Sequence, residues 1–231
     1  MPETVAYIGE QIDALRGSYI CVSNVHTTVL SYEDEHYRMV QNSAAMALPD
    51  GAPLSKYSRA RGFRDAQRVT GPDLMAELFR ISGQKGYRHF FYGSTQQTLD
   101  DMRAILQRDY PDLVIAGMYA PPFRALTAKE DQEVTARIND AGADFIWVGL
   151  GAPKQEEWMY EHRGKLNAVS IGVGAGFDYI AGNIRRAPRI MQVLCLEWLY
   201  RLMQDPRRLW KRYVVTNTKF VCYILRERFV K

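Results

Sequence analysis

One carboxylate, a Gly-rich turn and a scatter of arginines stand where this chain could do chemistry. Asp50 lies in LPDGAP (48–53), just after the apolar run Ala45–Leu48. A carboxylate at a strand end can take a proton from an attacking hydroxyl as a general base. Pro-Asp-Gly is also ordinary turn chemistry, so Asp50 alone does not decide between the two. Residues 149–158 read GLGAPKQEEW and follow the apolar run Phe145–Val148. That run reads as a buried strand, ended by Gly149, Gly151 and Pro153, the last of which cannot extend a ladder. Lys154 to Trp158 then starts a helix with acids in its first turn. A turn of this kind, carrying Lys154 and Gln155, stands where open α/β sheets bind ligands. Two further patches follow strands: SNVHTT (23–28), with Asn24 and His26, and FYGST (91–95), with Ser94 and Thr95 as a helix cap. A cap can hold phosphate, but caps without ligands are commoner. Polar residues at several strand ends imply one crevice.

Other chemistries lack their signatures. There is no GxGxxG and no GxxxxGK[ST], and the glycines of GVGAGF (172–177) have the wrong spacing for a dinucleotide fingerprint. The four histidines form no HExxH-like pair, so neither a zinc site nor a cofactor is expected. There is no Asp-x-Asp of the kind that holds Mn²⁺ or Mg²⁺ on a nucleotide sugar. A transferase built from this chain would stabilise a leaving diphosphate with basic side chains or helix dipoles.

The elements that must position these residues alternate. Strands are expected at 19–23, 45–48, 89–92, 113–116, 145–148 and 168–173, and helices at 32–42, 73–84, 95–108, 128–140 and 155–162. This alternation predicts a Rossmann-like, mostly parallel sheet with helices on both faces. The body is expected to span residues 1–186. Residues 187–231 form a basic helical appendage, with Pro188 and Pro206 each opening a helix.

Composition bounds the rest. The 231 residues are 47% hydrophobic and 24% charged, which is ordinary globular composition. Cys21, Cys195 and Cys222 lie far apart in apolar contexts and read as reduced core residues, which suggests a cytoplasmic compartment. The first residues, MPETVAYIGEQIDAL, hold acids and no apolar run, so no signal peptide is expected. Net charge is +4, unevenly placed: residues 185–231 hold 12 Lys/Arg against 3 Asp/Glu, a balance of +9, and the remainder is −5. Aromatic and aliphatic residues interleave with this basic charge, as in interfacial helices, which implies an anionic membrane surface as partner. The other reading is a docked hairpin with a solvated basic face.

Five stretches in order, DGAP (50–53), RVTGPDL (68–74), GLGAPKQEEW (149–158), GVGAGFDYIAGNIRRAP (172–188) and LEWLYRLMQDPRRLWKRY (196–213), resemble the WecG/TagA/CpsF glycosyltransferases. The resemblance covers nearly the whole chain. It implies inverting, metal-independent transfer of N-acetylmannosamine or its uronic acid from a UDP donor. The implied acceptor is lipid-linked, most commonly N-acetylglucosaminyl-diphospho-undecaprenol. It also implies a Rossmann-like fold and a C-terminal appendage that contacts the membrane and completes the active site. Products of such enzymes feed wall teichoic acid, enterobacterial common antigen, capsule or exopolysaccharide.

Carried over by position, Asp50 matches the proposed base, Arg68 a pocket arginine, and Gln155 the glutamine at the nucleotide-sugar site. Asn24 matches the asparagine of a Thr-Pro-Asn pattern, from which this chain departs with Val22 for the threonine and His26 where an acid is common. Arg201 and Arg208, with Lys211 or Arg212, match arginines facing the diphosphate. The chain would then sit peripherally on the inner face of the cell membrane, and a homo-oligomer is compatible with the sequence. Two rivals remain: the same fold with another UDP-sugar (glucose or a uronic acid), and a nucleic-acid-binding protein using the tail. The tail has no recognised nucleic-acid motif, so no nucleic-acid partner is expected.

Overall fold

Six apolar runs of four to six residues pair side by side in a computed structural model that describes residues 1–194 and 196–229. They are β1 (Tyr19–Ser23), β2 (Met46–Pro49), β3 (Arg88–Gly93), β4 (Val114–Tyr119), β5 (Phe145–Gly149) and β6 (Val169–Gly172). Their order is β2-β1-β6-β5-β3-β4, and every pairing is parallel. All six lie within a few residues of their expected positions.

Parallel strands covered on both sides must be apolar throughout, and alternate residues must face opposite layers. Ile20, Val22, Phe91, Trp147 and Ile171 pack on one side. They meet α1 (Pro2–Glu10), α2 (Ile12–Leu15), α6 (Gly71–Lys85), α7 (Gln96–Asp109) and α10 (Gly176–Ile180) through Ile8, Leu15, Leu78, Met102 and Phe177. Tyr19, Cys21, Phe90, Tyr92, Ile146 and Val148 face the other side. There they meet α8 (Ala128–Asp140) and α9 (Lys154–Glu161) through Val134, Ile138, Trp158 and Met159.

Two expectations are corrected. The helix expected at 32–42 is two, α3 (Val25–Glu33) and α4 (Glu35–Asn42). Asp34 is extended between them and caps the second by accepting from Tyr37 N at 3.0 Å. SNVHTT carries the start of the first of these: Asn24 is the N-cap of α3, accepting from the backbone N–H of His26 and Thr27. Cys222 is exposed and not a core residue, whereas Cys21 is buried. Cys195 lies outside the described residues.

The C-terminal residues form α11 (Arg189–Val193), α12 (Glu197–Gln204) and α13 (Pro206–Phe229), where a helix pair was expected. Pro206 opens α13, as its missing N–H and fixed φ favour. Leu209, Thr216 and Phe220 of α13 are buried, and Phe220 packs with Val29 of α3 and Leu54 of α5 (Ala52–Ala60). Tyr223 stacks on Tyr32 with centroids 4.1 Å apart, and Lys219 pairs with Glu33 at 2.7 Å. Among the described residues, no helix is long and apolar enough to cross a membrane.

Candidate active site

The carboxyl ends of β1 and β2 set the site. In their register Ser23 stands beside Pro49, and Asp50 N donates to the Ser23 carbonyl at 2.6 Å. Asn24 and Asp50 thus leave adjacent strands side by side. Gly51 follows with φ +111, a conformation that favours glycine, and turns the chain into α5. The Asp50 side chain is half-buried. Burial of its surroundings pushes the carboxyl up to about 7; Arg68 opposes this, Glu197 and Asp73 add to it, and Arg186 opposes it. A carboxylate that changes protonation near neutral pH suits a general base.

The charges around Asp50 join segments far apart in sequence. Arg68 Nη2 donates to Glu197 of α12. Arg186 makes a two-pronged pair with Asp73, at 2.6 and 2.8 Å, and Asp73 also accepts from Thr70 Oγ1 at 2.7 Å. Burial alone would raise the Asp73 carboxyl, but Arg186 and Thr70 hold it below its usual range. Arg201 of α12 lies over the Tyr179 ring, 5.2 Å from its centroid, and its Nη1 is buried with no hydrogen-bond partner. Arg68 Nε is also buried without a partner. The unsatisfied buried N–H groups of these two arginines are groups that a ligand would satisfy.

The Gly-rich turn after β5 forms a second part. Gln155, 4% exposed, accepts from Gly151 N at 3.2 Å and Gly174 N at 2.9 Å. It thereby ties the turn after β5 to the turn after β6. Its Nε2 donates to Glu156 Oε1 at 2.8 Å. Glu156 is one of the acids in the first turn of α9. It is fully buried, and burial pushes its carboxyl up to about 7. Gly149 leaves no room for a side chain: a Cβ there would stand 2.8 Å from the Phe177 ring. Thr95 caps α7 as expected, accepting from Thr98 N at 3.1 Å.

The structure brings together Asn24, Asp50 and Arg68, and Arg201 stands one turn along α12 from Glu197, the partner of Arg68. Arg212 lies close enough to His26 to act with burial in holding that imidazole below its usual pKa, and His26 Nδ1 is buried without a partner. Arg208 is exposed and pairs with Asp205 at 2.5 Å. Lys211 is exposed. Glu197, Asp73, Arg186 and Glu156 were not singled out from the sequence. Each stands inside one of the five quoted stretches, but nothing in a sequence shows that Arg68 pairs with a residue 129 positions on. Among the described residues, no group of three or more His, Cys, Asp or Glu could hold a metal ion.

The parallel sheet and the polar groups at its carboxyl ends define an α/β enzyme of the doubly wound class, with its ligand crevice at the strand ends. The chain belongs to the glycosyl transferase WecG/TagA/CpsF family, which it matches over residues 1–231, and it is a glycosyltransferase. It is 34% identical over 220 residues to an N-acetylglucosaminyldiphosphoundecaprenol N-acetyl-beta-D-mannosaminyltransferase of Bacillus subtilis (94% of this chain, 82% of the relative). A Bacillus spizizenii protein of the same name is 32% identical over 217 residues (94% and 82%). One from Staphylococcus aureus is 32% identical over 187 residues (80% and 70%).

Proposed function

We propose that this chain transfers N-acetylmannosamine, with inversion, from a UDP donor to N-acetylglucosaminyl-diphospho-undecaprenol at the cytoplasmic face of the membrane. The observation that carries this reading is the half-buried Asp50 beside Arg68, with Glu197 of α12 closing over them. Asp50 takes the proton of the acceptor hydroxyl as its oxygen attacks the anomeric carbon from the side opposite the nucleotide. A single displacement inverts that centre. Negative charge builds on the departing UDP, and guanidinium groups meet phosphate oxygens in a two-pronged geometry. Arg201, with its buried unpartnered N–H, is assigned that role. Gln155 holds the two glycine turns against the nucleotide sugar, and Asn24 and Arg68 line the crevice beside Asp50. Arg208, Lys211 and Arg212 add positive charge at its rim.

Residues 187–231 act as a membrane-seeking appendage. Basic residues near an anionic lipid surface are worth roughly 1 kcal/mol each, which suits the appendage's 10 Lys/Arg against 3 Asp/Glu, a balance of +7. The test is a donor screen with a synthetic lipid-diphosphate acceptor, read by mass spectrometry with and without EDTA. UDP-N-acetylmannosamine should give a product one N-acetylhexosamine heavier, in either condition. A product only from another UDP-sugar would correct the donor. Turnover abolished by EDTA and restored by Mn²⁺ would overturn the assignment of arginines to the leaving group.

A further inference from the structure

We propose that the cavity between α5 and α11 binds the diphosphate of the lipid acceptor, through Arg59, Arg68 and Arg189. The proposal rests on the acceptor class named above. The cavity is about 410 Å³, and Ala52, Ser55, Gln67 and Gln192 complete its lining. Three guanidinium groups converge on it, and no carboxylate is among the lining residues.

None of the three has its charge fully spent. Arg59 donates from Nη1 to the Ala66 carbonyl at 2.8 Å, a neutral partner. Arg68 engages Glu197 through Nη2 only, and its Nε is buried without a partner. Arg189 is exposed at the start of α11 and forms no ion pair among the described residues. Gathering three cations around one space is unfavourable unless an anion occupies it. A diphosphate, with two charged groups and many acceptor oxygens, is a ligand that could engage all three at once.

The position fits the reaction. Arg68 lies near enough to the Asp50 carboxyl to oppose its raised pKa, so the cavity opens beside the base. Ala52, Ser55 and Arg59 stand at i, i+3 and i+7, on one face of the helix that starts two residues after Asp50. At about 1.5 Å per residue, Arg59 lies about 10 Å along the axis from Ala52. That is comparable to the reach from a ring hydroxyl, across a pyranose, to a diphosphate on its anomeric carbon. The sugar hydroxyl would meet Asp50 while the diphosphate meets Arg59 and Arg189. Ile190 and Leu194, on the same short segment as Arg189, are exposed apolar side chains that suit contact with a polyprenyl chain. Arg208, already paired with Asp205, is not needed for this contact.

The test uses the full chain, saturating UDP-sugar and a short-chain, water-soluble N-acetylglucosaminyl-diphospho-lipid, so that membrane binding does not enter. Arg59→Ala/Arg189→Ala should raise the acceptor KM by about 10- to 100-fold, the scale of losing charged hydrogen bonds. The UDP-sugar Kd, read by titration calorimetry, should be unchanged. Arg59→Lys/Arg189→Lys should recover part of the loss. Inorganic pyrophosphate should inhibit wild type competitively with the acceptor, and the double alanine variant less. Arg189→Ala alone, at an exposed position, covers the case in which the double variant folds poorly. Wild-type turnover with an unchanged acceptor KM in the variants would overturn this subsite and leave the proposed function standing. So would a loss confined to vesicle binding, which would make these arginines headgroup contacts. No transfer by wild type to any lipid diphosphate would overturn the acceptor reading, and the subsite with it.

Discussion

Arg68 and Glu197 are hydrogen-bonded to each other across 129 residues of sequence, joining the segment after α5 to the first turn of α12. Both also act on Asp50: Arg68 lowers its pKa and Glu197 raises it. The C-terminal helices therefore do more than cover the crevice. When α12 is docked, Glu197 holds Arg68 in place and adds negative charge beside the base. The proton affinity of Asp50 is thus coupled to the position of the appendage.

Replacing Glu197 by Gln should expose that coupling. The amide still accepts a hydrogen bond from Arg68, but the negative charge is gone. Asp50 then loses a contribution that raises its pKa, and Arg68 opposes the rise without compensation. The acidic limb of kcat/KM against pH should move to lower pH than in wild type. An unmoved limb, with the fold intact by circular dichroism, would show that Glu197 does not act on the base.

Asp50→Asn separates the base from the turn aspartate. If Asp50 takes the proton, turnover should fall by about 10²–10⁴-fold, with little change in UDP-sugar Kd. Stability carries a second signature. The folded carboxyl sits near 7, above its ordinary 3.8. The folded state therefore holds a proton that the unfolded state has released, and wild type loses stability as pH rises between these values. Asparagine has no proton to lose. Its Tm advantage should be absent near pH 3.5, grow towards pH 7 and level above it. The carboxyl is only half-buried, so the gain at pH 8 should be about 1–2 kcal/mol. Near-normal turnover together with a flat stability difference would return Asp50 to the role of a turn residue.

The sheet was legible because its inner strands β1, β3, β5 and β6 are buried on both faces and so read as largely apolar runs: Tyr19–Ser23 is the case where expectation and structure coincide. Helices whose signal is a cap were harder. Asn24 and Asp34 both cap, but a Ser-Asn-Val-His run after a strand also reads as a polar loop, so α3 was missed and α4 was extended backwards. Asp50, Arg68 and Gln155 could be picked out because they stand in motifs at strand ends. Their partners could not. Asp73 and Arg186 meet across 113 residues, a fact of tertiary packing that no local pattern contains. Glu156 is the clearest miss. Acids in a helix's first turn usually face water, and only the packing of α9 against β1 and α4 seals this one in.

Glu156 is predicted to act on the site through Gln155. Its Oε1 accepts from Gln155 Nε2, which leaves Gln155 Oε1 facing the N–H groups of Gly151 and Gly174. Glu156→Ala removes that acceptor and opens space in the interior. It should cost about 1–3 kcal/mol, the scale of leaving a buried donor unsatisfied, and weaken UDP-sugar binding as the two turns lose their tie. Glu156→Gln keeps an acceptor and removes the charge. Its UDP-sugar Kd should match wild type, and its stability should exceed wild type above pH 7, because the buried carboxyl is pushed up to about 7. Calorimetric Kd values and melting curves on both variants check this. Equal nucleotide-sugar affinity in Glu156→Ala and wild type would sink the positioning role.

The outer face of α13 should be the part of the chain that meets lipid. Trp210, Val214, Val221 and Leu225 are all exposed, although apolar side chains of this size ordinarily pack. Their spacing of 4, 7 and 4 residues places them on one side of the helix. Leu209, Thr216 and Phe220 are buried, so the helix is already docked by another face and the exposed stripe is not its means of attachment. Exposed Arg207, Arg208, Lys211 and Arg212 flank the first turns of this stripe. A helix that cannot cross a bilayer but carries an apolar stripe with basic flanks suits the headgroup boundary, where Trp is favoured. Val221→Asp/Leu225→Asp places two charges on that stripe without touching the docked face. The variant should keep its Tm and its turnover of a short-chain soluble acceptor. Its binding to vesicles containing anionic lipid should weaken by at least about tenfold, the scale of removing two apolar side chains from a lipid interface, and turnover of a vesicle-embedded acceptor should fall with it. A concentration-dependent dimer in wild type, lost in the variant while vesicle binding stays intact, would assign the stripe to a second copy of the chain instead.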